Sequence, residues 1–244
     1  MQMLIGTIFI RLCADLYMNK IDEIIENARK SNRKALTEYE SKIILQELGL
    51  PVTKQYLAKN KEEAIQFAEK LGFPVVMKLM AEDIVHKSDV GAVRLNISTS
   101  AQAQKEFDAL MNIQATGEKA VSVQEMAKKP ITEIIIGSLQ DPQFGPAVMF
   151  GIGGVMVEIM KDVSFRITPL TPYDAEEMIK EIKAYKILDG YRGSAKADLQ
   201  AIKETLLKIS EFADKHTEIA EMDLNPVFVY EKGVNIVDAR IILK

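Results

Sequence analysis

Apolar residues recur along this chain at two periods, and the switching between them lays out the elements. Thr37-Glu38-Tyr39-Glu40 has the form of a capping box, after which Tyr39, Ile43, Ile44 and Leu48 share one helical stripe that stops at Gly49 and Pro51. The next helix follows the same grammar. Asn60 caps it, Glu63 sits three residues on, Ala64, Phe67, Ala68 and Leu71 face inward, and Gly72 ends it. Val52 to Ala58, Pro74 to Met80 and Ala92 to Ile97 read as extended segments, so this half of the chain alternates helix and strand in an α/β or α+β pattern. The polar stretch from Ala81 to Gly91 is too long for a tight hairpin turn, and loops of that length inside compact domains tend to be functional.

A helix from about Ser100 to Ile113 precedes Thr116-Gly117-Glu118-Lys119, which reads as a boundary between lobes. Strands are predicted at Ala120 to Met126, Ile131 to Leu139, Pro146 to Phe150 and Val155 to Ile159. Two helices follow, one opening at Thr171-Pro172 and one from about Asp198 to His216 with Leu199, Ile202, Leu206, Ile209 and Phe212 inward. A hairpin, Ile219 to Tyr230 and Val234 to Ile242, closes the chain. At the other end, Asn19 to Ile25 has helical spacing, whereas residues 1–17 read as an appendage.

Composition narrows the classes. With 48% hydrophobic and 27% charged residues among 244, the chain can bury a substantial core, and two lobes of ordinary size fit its length. Its 31 Lys and Arg against 35 Asp and Glu give a net charge of −4, which argues against a nucleic-acid partner. Cys13 is the sole cysteine, so there is no internal disulfide or thiolate zinc cluster, as suits a reducing compartment. The apolar start precedes Arg11, the reverse of the order in a signal peptide, and no run reaches the roughly 20 apolar residues of a bilayer span. A cytoplasmic protein without a membrane partner is expected.

The closing hairpin holds the most informative cluster, Glu221-Met222-Asp223-Leu224-Asn225-Pro226 and Val237-Asp238-Ala239. Alternation puts Asp223 and Asn225 on one face. A two-residue turn at Lys232-Gly233 sets Asp238 opposite Val227 on that same face, whereas a three-residue turn sends it to the other side. Two readings fit the cluster: hard oxygen ligands for Mg²⁺ completed by nucleotide phosphates, or a solvated hairpin face. Lys78 interrupts an apolar strand and either meets an anion such as phosphate or snorkels to solvent. His86, in the long loop, is either a nucleophilic imidazole or an ordinary surface histidine. Gly151-Ile152-Gly153-Gly154 is a flexible turn able to bring N–H groups to an anion, with neither P-loop nor dinucleotide spacing. His216 reads as a structural helix-end residue.

Several stretches in one order resemble the ATP-grasp β subunits of ADP-forming acetyl-CoA synthetases, within the nucleoside-diphosphate-forming acyl-CoA synthetases. They are Leu36-Thr37-Glu38-Tyr39-Glu40, Phe73 to Lys78, His86-Lys87-Ser88-Asp89-Val90-Gly91, Val123-Gln124-Glu125-Met126, Asp141 to Pro146, Phe150 to Gly154 and Glu221 to Pro226. The resemblance implies an α+β, two-lobed ATP-grasp fold, each lobe a mostly antiparallel sheet with helices. The corresponding division is an extension over 1–28, an N-terminal lobe over 29–118 and a C-terminal lobe over 119–244. It also implies that Lys78 contacts phosphates or adenine, that Glu125 and Met126 form the adenine-reading hinge, and that Glu133 lies near the sugar with Gly153 and Gly154 beside the nucleotide. Asn225 and Asp238 match the family's magnesium ligands, and Asp223 the carboxylate that steadies a phosphorylated imidazole. His86 matches the histidine that carries phosphate between two sites. The implied reaction interconverts acyl-CoA, ADP and phosphate with free acid, CoA and ATP, together with a CoA-binding α subunit in an assembly of two α and two β. The rivals are a succinate- or malate-type β subunit and a non-catalytic nucleotide-sensing module.

Overall fold

The segment Val75-Val76-Met77-Lys78-Leu79-Met80 forms a strand buried along its whole length, and that burial requires neighbours on both edges and both faces. In the computed structural model, which describes residues 20–81, 91–154 and 162–244, it has them. Strands β1 (Gln55–Ala58), β2 (Val75–Met80), β3 (Val93–Ile97) and β4 (Ala120–Glu125) form an antiparallel sheet in the order β1-β4-β2-β3. Helices α3 (Lys61–Leu71) and α4 (Ser100–Met111) cover one face. Into that face point Val75, Met77 and Leu79 from β2 and Val121 and Val123 from β4, packed with Ala64, Ala68, Phe107 and Leu110. By the two-residue period, Lys78, Ser122 and Gln124 point the other way, yet they too are buried. The polar face of this sheet is therefore covered by something else in the molecule.

The cover comes from the larger lobe. Strands β5 (Thr132–Asp141), β6 (Gly145–Ile152), β7 (Val163–Ile167), β8 (Ile219–Val229) and β10 (Arg240–Leu243) run in the order β10-β8-β5-β6-β7, and β9 (Val234–Ile236) also pairs with β8. Its core joins Ile134 and Ile136, Val148 and Phe150, and Met222 and Leu224 to helices α5 (Pro172–Glu181) and α7 (Leu199–Lys215), with the short helix α6 (Tyr185–Leu188) between them. The same core takes Ile21, Ile25 and Ala28 from a helix over residues 20–30, α1, and Ile44 and Leu45 from α2 (Glu38–Glu47).

Three expectations change. The strand at 120–125 belongs to the small sheet, so the passage between sheets falls after Glu125 rather than at 118/119. Residues 20–52 pack with the C-terminal sheet, and the small lobe is an insertion into the larger one. The extension over 1–28, expected to lie outside the family match, contributes a core helix in its described part, where helical spacing was read from Asn19 to Ile25. The strand at 163–167 carries no clear sequence signal, because Arg166 interrupts it and Pro169 stands two residues past its end. The strand expected at 155–159 and the His86 loop lie outside the described residues.

Candidate functional site

The capping box at Thr37 forms as the spacing requires: Glu40 N–H donates to Thr37 Oγ1 at 3.2 Å and Thr37 N–H to Glu40 Oε2 at 2.8 Å. This start fixes the rotation of α2, and the rotation buries Glu38 and Lys42, one turn apart, against the polar face of the small sheet. Glu38 Oε1 there accepts from Lys78 Nζ at 2.7 Å, Lys42 Nζ at 2.9 Å and Gln124 Nε2 at 3.0 Å. Lys42 Nζ also donates to Thr53 Oγ1 at 2.7 Å and to Gln124 Oε1 at 2.9 Å. Lys78 reaches across to the hairpin, donating to Asp238 Oδ2 at 3.0 Å and to Val237 O at 3.3 Å. Lys78 therefore does not snorkel to solvent; it ties β2 of the small lobe to α2 and the hairpin of the large one.

The hairpin brings its three oxygen-bearing side chains together by a different register from the one expected. Val229 pairs with Val234 and Val227 with Ile236, and Tyr230 N–H donates to Gly233 O, so residues 230–233 form a four-residue connection. Asp238 consequently falls opposite Asn225 rather than Val227, and Val237 N–H donates to Pro226 O at 3.0 Å in the same register. An even loop length preserves the face, so the convergence survives the change of partner. Two residues further along each strand, Asp223 pairs with Arg240. A shift in the β5–β8 ladder lets Val227 and Val229 turn into the core while Asp223 and Asn225 stay outside it.

Charge at this junction is finely divided. Burial pulls the Lys78 ammonium down, but the attraction of Glu38 and Asp238 outweighs it and leaves the group above its ordinary value. Burial brings Lys42 down to about 8 against the pull of Glu38, with the like charge of Lys78 acting in the same sense as burial. Asp223 is pushed up by burial and by its acidic neighbours Glu221 and Asp238, with Arg240 opposing. One of its oxygens, Oδ1, is buried and accepts no hydrogen bond among the described residues. Among those residues no three His, Cys, Asp or Glu side chains form a protein-only metal cage. Two carboxylates, one of them bearing the orphaned buried oxygen, and an amide make a donor set that fits a hard cation whose remaining positions come from another ligand.

Glu133 and the glycines also meet. Gly153 N–H donates to Glu133 O at 2.7 Å, and a Cβ on Gly153 would lie 3.2 Å from Glu133 Cβ. At Gly154, with φ +71°, a Cβ would stand 3.9 Å from Glu133 Oε2. Glu133 pairs with Phe228 and Ile134 with Val227, which places this cluster at the Asn225 end of the sheet. Gly151, by contrast, is an ordinary β6 residue paired with Ile135 and Val163. Glu125 closes β4 with Met126 after it. Its N–H donates to Lys54 O and its Oε1 accepts from Lys54 N–H, both at 3.0 Å, so the two chain passages between lobes lie side by side. Among the described residues the structure thus gathers Lys78, Asp223, Asn225 and Asp238 at one junction, with Glu125 at its crossing. The partners missed from sequence are Glu38, Lys42, Thr53 and Gln124, because a Glu-Lys pair at i, i+4 ordinarily marks a solvent-facing helix surface.

Two lobes with antiparallel sheets, meeting over a buried lysine and a carboxylate-bearing hairpin, define a nucleotide-grasping architecture. The model of the ATP-grasp domain family matches residues 27–243, and the chain belongs to that family. It is 50% identical over 230 residues to the acetate–CoA ligase [ADP-forming] II subunit beta of Pyrococcus furiosus, covering 91% of this chain and 97% of that one. A solved structure of Ca. Korarchaeum cryptofilum dinucleotide forming acetyl-coenzyme A synthetase 1, with coenzyme A and Mg-AMPPCP and its phosphohistidine segment pointing towards the nucleotide binding site, superposes with a TM-score of 0.82 at 46% identity, covering 92% of this chain and 100% of that one. Another, with coenzyme A, acetyl-coenzyme A and a phosphorylated phosphohistidine segment in the site I orientation, gives 0.85 at 44% identity over the same shares.

Proposed function

We propose that this chain is the β subunit of an ADP-forming acetate–CoA ligase, a ligase subunit that uses ATP or ADP with Mg²⁺. The observation that carries the proposal is the Lys78–Asp238 ion pair across the lobe junction, beside Asn225 and the orphaned oxygen of Asp223. Identity of 50% to a β subunit of nearly the same length favours this reading over a succinate- or malate-type chain. The Korarchaeum relative's phosphohistidine segment, found in two orientations, supports a relay in this chain through His86.

In the proposed division of labour, a partner α subunit binds CoA and turns acyl-CoA and phosphate into acyl phosphate and free CoA. The phosphoryl group passes to a histidine of the α subunit, releasing the acid, then to an imidazole nitrogen of His86, and finally to the terminal phosphate oxygen of ADP, giving ATP and restoring neutral His86. Lys78 balances charge on the phosphates, and Asp223 steadies the imidazolium that forms during transfer. Asn225 and Asp238 hold Mg²⁺, which supplies charge neutralisation and an orienting template for the phosphates. Glu125 and Met126 border the base. Here the crossing offers less than sequence suggested, since the Glu125 N–H is already engaged by Lys54. Glu133, Gly153 and Gly154 border the sugar and phosphates.

The chain works in a hetero-oligomer, with two copies of each subunit and a cytoplasmic location as the finer proposals; among the described residues no helix is long and apolar enough to cross a membrane. Mixing the chain with its cognate CoA-binding subunit, acetyl-CoA, ADP, phosphate and Mg²⁺ tests the proposal. ATP forms only when both chains are present. Nucleotide binding without ATP formation in the mixture would favour a sensing module.

A further inference from the structure

An ammonium has three protons to donate, and at Lys78 they go to Glu38, Asp238 and a backbone oxygen. Two of these acceptors lie on the hairpin, and Asp238 is also a proposed cation ligand. Lysine and cation therefore compete for one carboxylate. Glu38 is the acceptor outside that competition. It comes from α2, it is buried, and its Oε1 is pinned by Lys42 and Gln124 as well as by Lys78. Across the group, Lys42 and Lys78 balance Glu38 and Asp238. Drawing Asp238 to a cation leaves one positive charge in excess, and the Glu38 oxygen fixes where Lys78 carries it.

Resting on the reading of Lys78 and Asp238 given above, we propose that Glu38, held by Lys42 and Gln124, is a positioning residue: it retains the Lys78 ammonium at the lobe junction and so frees Asp238 to take the cation. Nothing in this role requires Glu38 to touch nucleotide. Its charge sets how hard Lys78 leans on Asp238, and through that the cation concentration the site needs.

Calorimetric titration of the full chain with a non-hydrolysable ATP analogue at a series of Mg²⁺ concentrations tests this. In Glu38→Gln the charge is lost at nearly constant shape, Lys78 leans on Asp238, and the half-saturating Mg²⁺ concentration rises roughly tenfold, the scale of one charge-assisted hydrogen bond. Glu38→Asp keeps the charge but retracts it by one methylene and gives an intermediate rise; it decides alone if the amide variant does not fold. A general loosening of the fold lowers affinity at every Mg²⁺ concentration without moving the half-point. A parental half-point in whichever variant folds overturns the proposal. Absence of any Mg²⁺-dependent nucleotide binding in the parent chain overturns the underlying reading, and this inference with it.

Discussion

Lys42 has no side-chain exposure, and burying an ammonium there is tolerable only because Glu38, Thr53 and Gln124 meet all three of its protons. Its depressed value of about 8 has a consequence for stability. Between that value and the ordinary 10.5 the unfolded chain binds the proton and the folded chain does not, so this group makes stability rise with pH across that window. Denaturant melts of the parent and of Lys42→Met should show the stability difference moving in the parent's favour from pH 8 towards 10.5. A difference that stays flat would mean that Lys42 titrates normally. At this scale the sequence was unevenly legible. Lys78 stood out because a charge in an apolar strand demands a partner, and Asp223 and Asn225 because alternation aligned them. Glu38 and Lys42 did not stand out, since the i, i+4 spacing that buries them together is also the spacing of a solvent-exposed pair.

The elements were legible wherever local rules decide them. Thr37 and Asn60 cap their helices, Gly72 ends α3, and the apolar period of α7 puts Ile202, Leu206 and Ile209 in the core. Pairing between distant segments was not, because it depends on which surfaces meet. The strand at 120–125 lies in the small sheet since Val121 and Val123 complete a core built by α3 and α4, a fact that no local pattern carries. Gly151 shows the same limit. As part of a glycine-rich turn it suggested anion binding, yet in β6 a Cβ there would stand 2.8 Å from Asp162 O and 2.8 Å from Val163 Cγ1. Gly151→Ala must push β7 away from β6 and should cost about 1–3 kcal/mol of unfolding free energy. A denaturant midpoint unchanged from the parent would show that β7 yields freely.

For the whole molecule, the physical design is one lobe inserted into another, with both passages clamped at Lys54 and Glu125 and a four-charge group where the lobes face each other. That arrangement sets Lys78 of the small lobe against Asp238 of the large one, beside Asn225, which is where we propose that the nucleotide phosphates and their cation bind. In the proposed relay, phosphate leaving or reaching the nucleotide travels by way of His86. Incubating the purified chain with γ-labelled ATP and Mg²⁺, then measuring acid-labile label on the protein, tests it most directly. Label is expected on the parent and is expected to be absent from His86→Ala with the fold intact; label persisting undiminished in that variant would rule the relay out.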